Sequence, residues 1–102
     1  MIIIQTNCDK KEEAEMISRA LLKDKLAFVA HICQANSLYL WKGKILEGKE
    51  FILNVRTTED NAAAAIELIK NMHSYEVPPI VAMPVDNASK EYIETVKKEL
   101  KK

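Results

Sequence analysis

The sequence predicts an α+β fold, an antiparallel sheet with helices packed against one face. Three observations carry the prediction. Short runs of β-branched and aliphatic residues alternate with segments whose apolar residues recur every three or four positions. Two of the runs are long, and the only glycines, Gly43 and Gly48, lie between them, which is the pattern of a hairpin. The resulting order is β-α-β-β-α-β followed by α. That is the split βαβ, or ferredoxin-like, arrangement with an additional C-terminal helix.

Ile2-Ile3-Ile4 reads as a short buried strand. Asp9, with Glu12 and Glu13 near the positive end of the dipole, predicts a helix over about Lys10 to Lys23. Ala14, Ile17 and Leu21 form its apolar stripe. The hairpin follows. Its first arm is predicted from about Leu26 to Trp41, which at ~3.4 Å per residue would exceed about 40 Å. An arm of that length overhangs its own domain and exposes backbone donors and acceptors along its edge. The polar stretch Gln34-Ala35-Asn36-Ser37 interrupts the alternation and suggests a β-bulge or kink. The return arm centres on Phe51 to Thr57.

Thr57 or Thr58 is the expected cap of a second helix with the stripe Ala62, Ala65, Ile66 and Ile69, ending near Asn71. Pro78 and Pro79 hold the next segment out of helix. Ile80 to Met83 is a short strand stopped by Pro84. Asn87 or Ser89 starts a third helix carrying Ile93, Val96 and Leu100, with Lys97, Lys98, Lys101 and Lys102 at its negative end. Right-handed crossovers place the first two helices on one face of the sheet. The opposite face then needs another cover, in part the third helix and in part neighbouring subunits.

At 102 residues the chain suits a single domain spanning 1–102. Fifteen basic residues offset fifteen acidic ones, so no global field draws the chain to nucleic acid or an anionic membrane. No apolar run approaches the ~20 residues of a membrane span. The start turns polar at Gln5 without a basic lead, which reads as a strand and not a secretion signal. Cys8 and Cys33 suit free thiols in a reducing compartment, and a cytoplasmic location is expected.

The chain resembles the CutA divalent-cation-tolerance family. The likeness is carried by Lys25-Leu26-Ala27, Ser37 to Ile45 with its Tyr39-Leu40-Trp41-Lys42-Gly43-Lys44 core, Arg56-Thr57-Thr58, His73 to Pro78, Pro84-Val85 and Tyr92. It implies a ferredoxin-like homotrimer, similar in architecture to the PII signalling proteins and joined through the long hairpin. It also implies a non-enzymatic role in divalent-ion tolerance, with copper or another divalent cation bound weakly. Some members bind copper through a cysteine ending the first strand and a histidine before Pro-Tyr. The histidine corresponds to His73; the cysteine position falls on Thr6, with Cys8 two residues on. Ser74 stands where the family loop usually has proline, and Val29 where a cysteine is frequent.

His73 and Cys8 are therefore the metal candidates. Imidazole suits copper and zinc, and a thiol before a helix N-terminus can be acidified. The competing reading is a histidine at a helix C-terminus and a quiet turn cysteine. His31 and Cys33, two apart on one strand, face the same way. They make an incomplete zinc or Cu(I) pair unless a neighbouring chain contributes; otherwise they are a packed cysteine and a satisfied histidine. Tyr39, Trp41, Arg56, Tyr75 and Glu76 are expected to line a cleft between subunits. The cleft is either oligomer interface or a pocket for a small ligand or a protein partner, as in a PII-like regulator. Three other classes fail on their own residues. Thr6-Asn7-Cys8-Asp9 lacks the glycine and arginine of an acylphosphatase loop. Phe51 to Arg56 lacks the ribonucleoprotein pattern. No nucleophile–base pair for catalysis can be read.

Overall fold

The computed structural model describes residues 1–100; Lys101 and Lys102 lie outside the described residues. The order is β1 (Ile2–Cys8), α1 (Lys11–Lys23), β2 (Val29–Trp41), β3 (Lys44–Thr57), α2 (Glu59–Met72), β4 (Ile80–Pro84) and α3 (Lys90–Glu99). The strands form one antiparallel sheet in the order β2-β3-β1-β4. This is the predicted α+β, ferredoxin-like arrangement with its extra helix and long hairpin.

Pairing register fixes which side chains share a face. Ile4 pairs with Val55, Thr6 with Leu53 and Cys8 with Phe51; Ala30 and Ile32 of β2 join them opposite Val55 and Leu53. These residues meet Ala14, Ile17 and Leu21 of α1 and Ala65 and Ile69 of α2 in one core. Both helices therefore cover a single face. Two core hydroxyls, Thr6 Oγ1 and Thr57 Oγ1, are buried with no hydrogen-bond partner. A buried hydroxyl left unpaired costs about 1–3 kcal/mol. Thr57→Val is therefore expected to stabilise the chain by about 1 kcal/mol, read as a higher urea midpoint at unchanged slope.

The β2–β3 ribbon is longer than the rest of the sheet. Pairing runs without a slip from Val29↔Arg56 to Trp41↔Lys44, so the bulge expected at Gln34 to Ser37 does not form. Beyond Gln34 the ribbon leaves the helices behind, and neither face there has a core to point at. Polar residues interrupt the alternation without breaking the pairing. Lys42 (φ 52°) and Gly43 (φ 78°) close the ribbon, the paired positive φ of a two-residue type I′ turn. The ribbon stretches the molecule to 45 × 26 × 20 Å and its radius of gyration to 14.3 Å, against about 13 Å for a compact chain of this length.

The first arm starts three residues later than predicted. Lys25 takes φ 57°; its N–H donates to Leu22 O, and the Leu26 N–H donates to Leu21 O. This is a Schellman closure of α1, with lysine where glycine is usual. Leu26 and Ala27 turn into the core as part of that closure, and pairing begins only at Val29. The helix caps also differ in detail. Lys10, not Asp9, is the N-cap of α1, and it makes no side-chain cap. Thr58 is the N-cap of α2, but its hydroxyl accepts from Asn61 Nδ2 (2.8 Å) instead of capping the helix. At α3, Ser89 Oγ accepts from the Tyr92 N–H, as predicted.

Candidate functional site

A cluster of polar side-chain contacts gathers at one end of the sheet. There the C-terminal end of β1, the middle of β3, the first turn of α1 and the loop after α2 converge. His73 is the C-cap of α2. Its Nδ1 accepts from the Tyr75 N–H (3.2 Å), so the ring proton sits on Nε2 and is donated to Asn7 O (2.7 Å). Ser74 clamps Glu13 twice, its N–H to Oε2 (2.6 Å) and its hydroxyl to Oε1 (3.0 Å). The Tyr75 hydroxyl donates to Glu50 Oε2 (2.9 Å), and Asn7 Nδ2 donates to Glu50 Oε1 (3.3 Å). Burial, followed by the hydrogen bond to Glu50, pushes the Tyr75 phenol well above its ordinary range.

Cys8 lies under this network and is fully buried. Burial first, then the carboxylates of Glu13 and Glu50, raise its thiol from 9.0 to about 11. It stays protonated at neutral pH, whereas a metal takes the thiolate. His73 has both ring nitrogens engaged by backbone groups. A metal could reach it only after one of those hydrogen bonds was given up. Among the described residues no group of three or more His, Cys, Asp or Glu side chains is arranged to hold a metal ion. The donor set at His73 and Cys8 thus does not fit a resident metal.

The five residues expected to line a cleft lie apart within one chain. Trp41 is at the ribbon tip with Lys42 Nζ 5.7 Å from its ring centroid, and Tyr39 is beside it and exposed. Arg56 sits near the other end of β3, donating to the Tyr92 hydroxyl (3.0 Å). Twelve strand residues, about 40 Å, separate its register position from that of Trp41. Tyr75 is between, on Glu50, and Glu76 is exposed in the loop. Only copies of the chain could bring these groups to one cleft. Glu13, Glu50 and Asn7 were missed as site residues. Nothing in their local sequence marks them, because each finds its partner far along the chain.

The family model described as "CutA1 divalent ion tolerance protein" matches residues 2–99. The chain belongs to the CutA family. It is similar over its whole length, at 36% identity, to the divalent-cation tolerance protein CutA of Pyrococcus horikoshii, which it covers completely. The CutA of Archaeoglobus fulgidus is 38% identical over 85 residues, 83% of each chain. Crystallographic CutA1 from P. horikoshii superposes with a TM-score of 0.94 at 35% identity, covering both chains entirely. A structure described as the periplasmic divalent cation tolerance protein CutA from A. fulgidus gives 0.93 at 33% identity, over 99% of this chain and all of the other. Helix count, sheet order and the long ribbon are thus those of CutA. No described helix is long and apolar enough to cross a membrane.

Proposed function

We propose that this CutA-family chain serves divalent-cation tolerance as a non-enzymatic homotrimer built through its β2–β3 ribbon. One observation carries the reading. The ribbon extends past the helices with apolar side chains open on both faces, Leu38 (68% exposed), Leu40 (73%), Trp41 (57%) and Ile45 (77%). Exposure on that scale marks an interaction surface, and β2 adds a bare strand edge beside it. Copies of the same chain supply matching edges and matching apolar arms.

The absence of catalysis is supported by the chemistry of the buried cluster: its thiol is held protonated and its imidazole is held by two backbone groups. The same facts make any copper or other divalent cation at His73 a weak ligand, since binding there must displace a hydrogen bond. Two free thiols favour a reducing compartment such as the cytoplasm, although the A. fulgidus relative is described as periplasmic.

Light scattering is expected to return three chains per particle for the wild type. The Leu40→Asp, Ile45→Asp double variant, with charge placed on one cross-strand pair, is expected to return one. A wild-type monomer at micromolar concentration would overturn the assembly. In parallel, calorimetric titration with Cu²⁺ is expected to show weak binding that weakens further in His73→Ala. Identical isotherms would remove His73 as a contact.

A further inference from the structure

We propose that His31 and Cys33, completed by the same pairs from the other copies about the trimer axis, form a binding site for a borderline-soft divalent ion of the zinc class on the sheet face that α1 and α2 leave open. The inference rests on the assembly proposed above and adds a metal contact separate from His73.

The open face is defined by register. Val29, His31, Cys33 and Ala35 of β2 share it with Ile52, Asn54 and Arg56 of β3 and with Ile3, Gln5 and Asn7 of β1. Most of its polar groups are already engaged within the chain. Gln5 Nε2 donates to Asn54 Oδ1 (3.1 Å), Asn7 donates to Glu50, and Arg56 donates to Tyr92. His31 and Cys33 are both exposed, and neither side chain makes a hydrogen bond to a described residue. They are the face's imidazole and thiol with lone pairs to give.

Their spacing suits chelation. Two strand residues separate their Cα atoms by about 6.5–7 Å with both side chains on one side. A single ion at Zn–S ≈ 2.3 Å and Zn–N ≈ 2.0–2.1 Å can bridge them. Thiolate with imidazole is a donor set that zinc accepts, and a structural zinc site takes four such ligands. One chain provides two, and the three chains of the trimer offer six, more than the four the ion takes. In a closed cyclic assembly equivalent residues lie about one axis, and an apolar surround of Ile3, Val29 and Ile52 gives a second copy's sheet something to dock against. Binding deprotonates Cys33, and the thiol proton leaves to solvent. Arg56 lines the same depression as His31, but its guanidinium is turned to the Tyr92 ring and hydroxyl.

Co²⁺ is the probe, because thiolate coordination gives it a sulfur-to-metal charge-transfer absorption. Titrated into the reduced full chain, it is expected to produce that band at a ratio below one ion per chain, with Zn²⁺ displacing it. Cys33→Ser is expected to abolish the band, and His31→Ala to weaken binding by at least about tenfold. Cys8→Ser and His73→Ala are expected to leave it unchanged. A band that survives Cys33→Ser, or no band at all, overturns the site. Light scattering on the same samples separates the two ideas: trimers without the band leave the assembly standing and remove only this inference. A band at one ion per chain overturns completion by the other copies.

Discussion

Leu53→Ala is expected to lower the unfolding free energy by about 2–5 kcal/mol, the range for truncating a buried leucine. Leu53 is 1% exposed. It sits on β3 between Thr6 of β1 and Ile32 of β2, under the helices whose Ile17, Leu21, Ala65 and Ile69 complete the core. Strands flank it on both sides and helices close the third, so little can collapse into the space a smaller side chain leaves. Against a typical total stability of 5–15 kcal/mol, that loss is a large fraction. Urea titration checks it, with variant and wild type held at equal protein concentration, because assembly would add a concentration-dependent contribution. A shift below about 1 kcal/mol would mean that the centre of the sheet is looser than its burial indicates.

The second large effect is alkaline. The Cys8 thiol is raised from 9.0 to about 11 in the folded chain. Between those values the folded state keeps a proton that the unfolded state has lost. Stability therefore falls as pH rises through this window, and the contribution is fully present below pH 9. Denaturation midpoints measured from pH 8 to 11 are expected to decline for the wild type. Cys8→Ala starts from a lower stability but is expected to decline less steeply. Tyr75 adds a slope of the same sign above pH 10, since its phenol is also held protonated, and it persists in the Cys8 variant. Thiol labelling provides a second check. Cys8 is expected to react only on unfolding. A Cys8 that labels in the native chain would contradict the burial.

The parts of the fold legible in the sequence were those with a core to point at. Ala14, Ile17 and Leu21 announced α1 because a helix must put one stripe against the sheet. Phe51, Leu53 and Val55 announced β3 for the corresponding reason at period two. Legibility ended where that constraint ended. Gln34 to Ser37 read as a break, yet pairing runs through it without a bulge, because residues with no core to face need not alternate. Leu26 alternated like a strand residue but belongs to the closure of α1. Its apolar character served both readings equally well.

The candidate cluster was half legible. His73 stood out by residue type and by likeness to a family loop. What holds it did not, because Asn7 lies 66 residues away and contributes a carbonyl, which every residue has. Glu50 looked like one more surface acid on a strand until Tyr75 and Asn7 were placed on it. Cys8 illustrates the same gap. Its position before a helix suggested an acidified thiol, and burial, with two carboxylates nearby, gives the opposite sign.

The order of the sheet also sets a timetable for synthesis. β1 leaves the ribosome first, yet it pairs with β3 and β4, so Ile2, Ile3 and Ile4 wait without a partner until Lys44–Thr57 has been translated. At about 5–20 residues per second that is a delay of several seconds for the most apolar segment in the nascent chain. β2 and β3, joined by two residues, can zip as soon as the second emerges. The ribbon is then ready to receive β1 on its free side, and the N-terminal strand joins as the third to pair, though it is the first made.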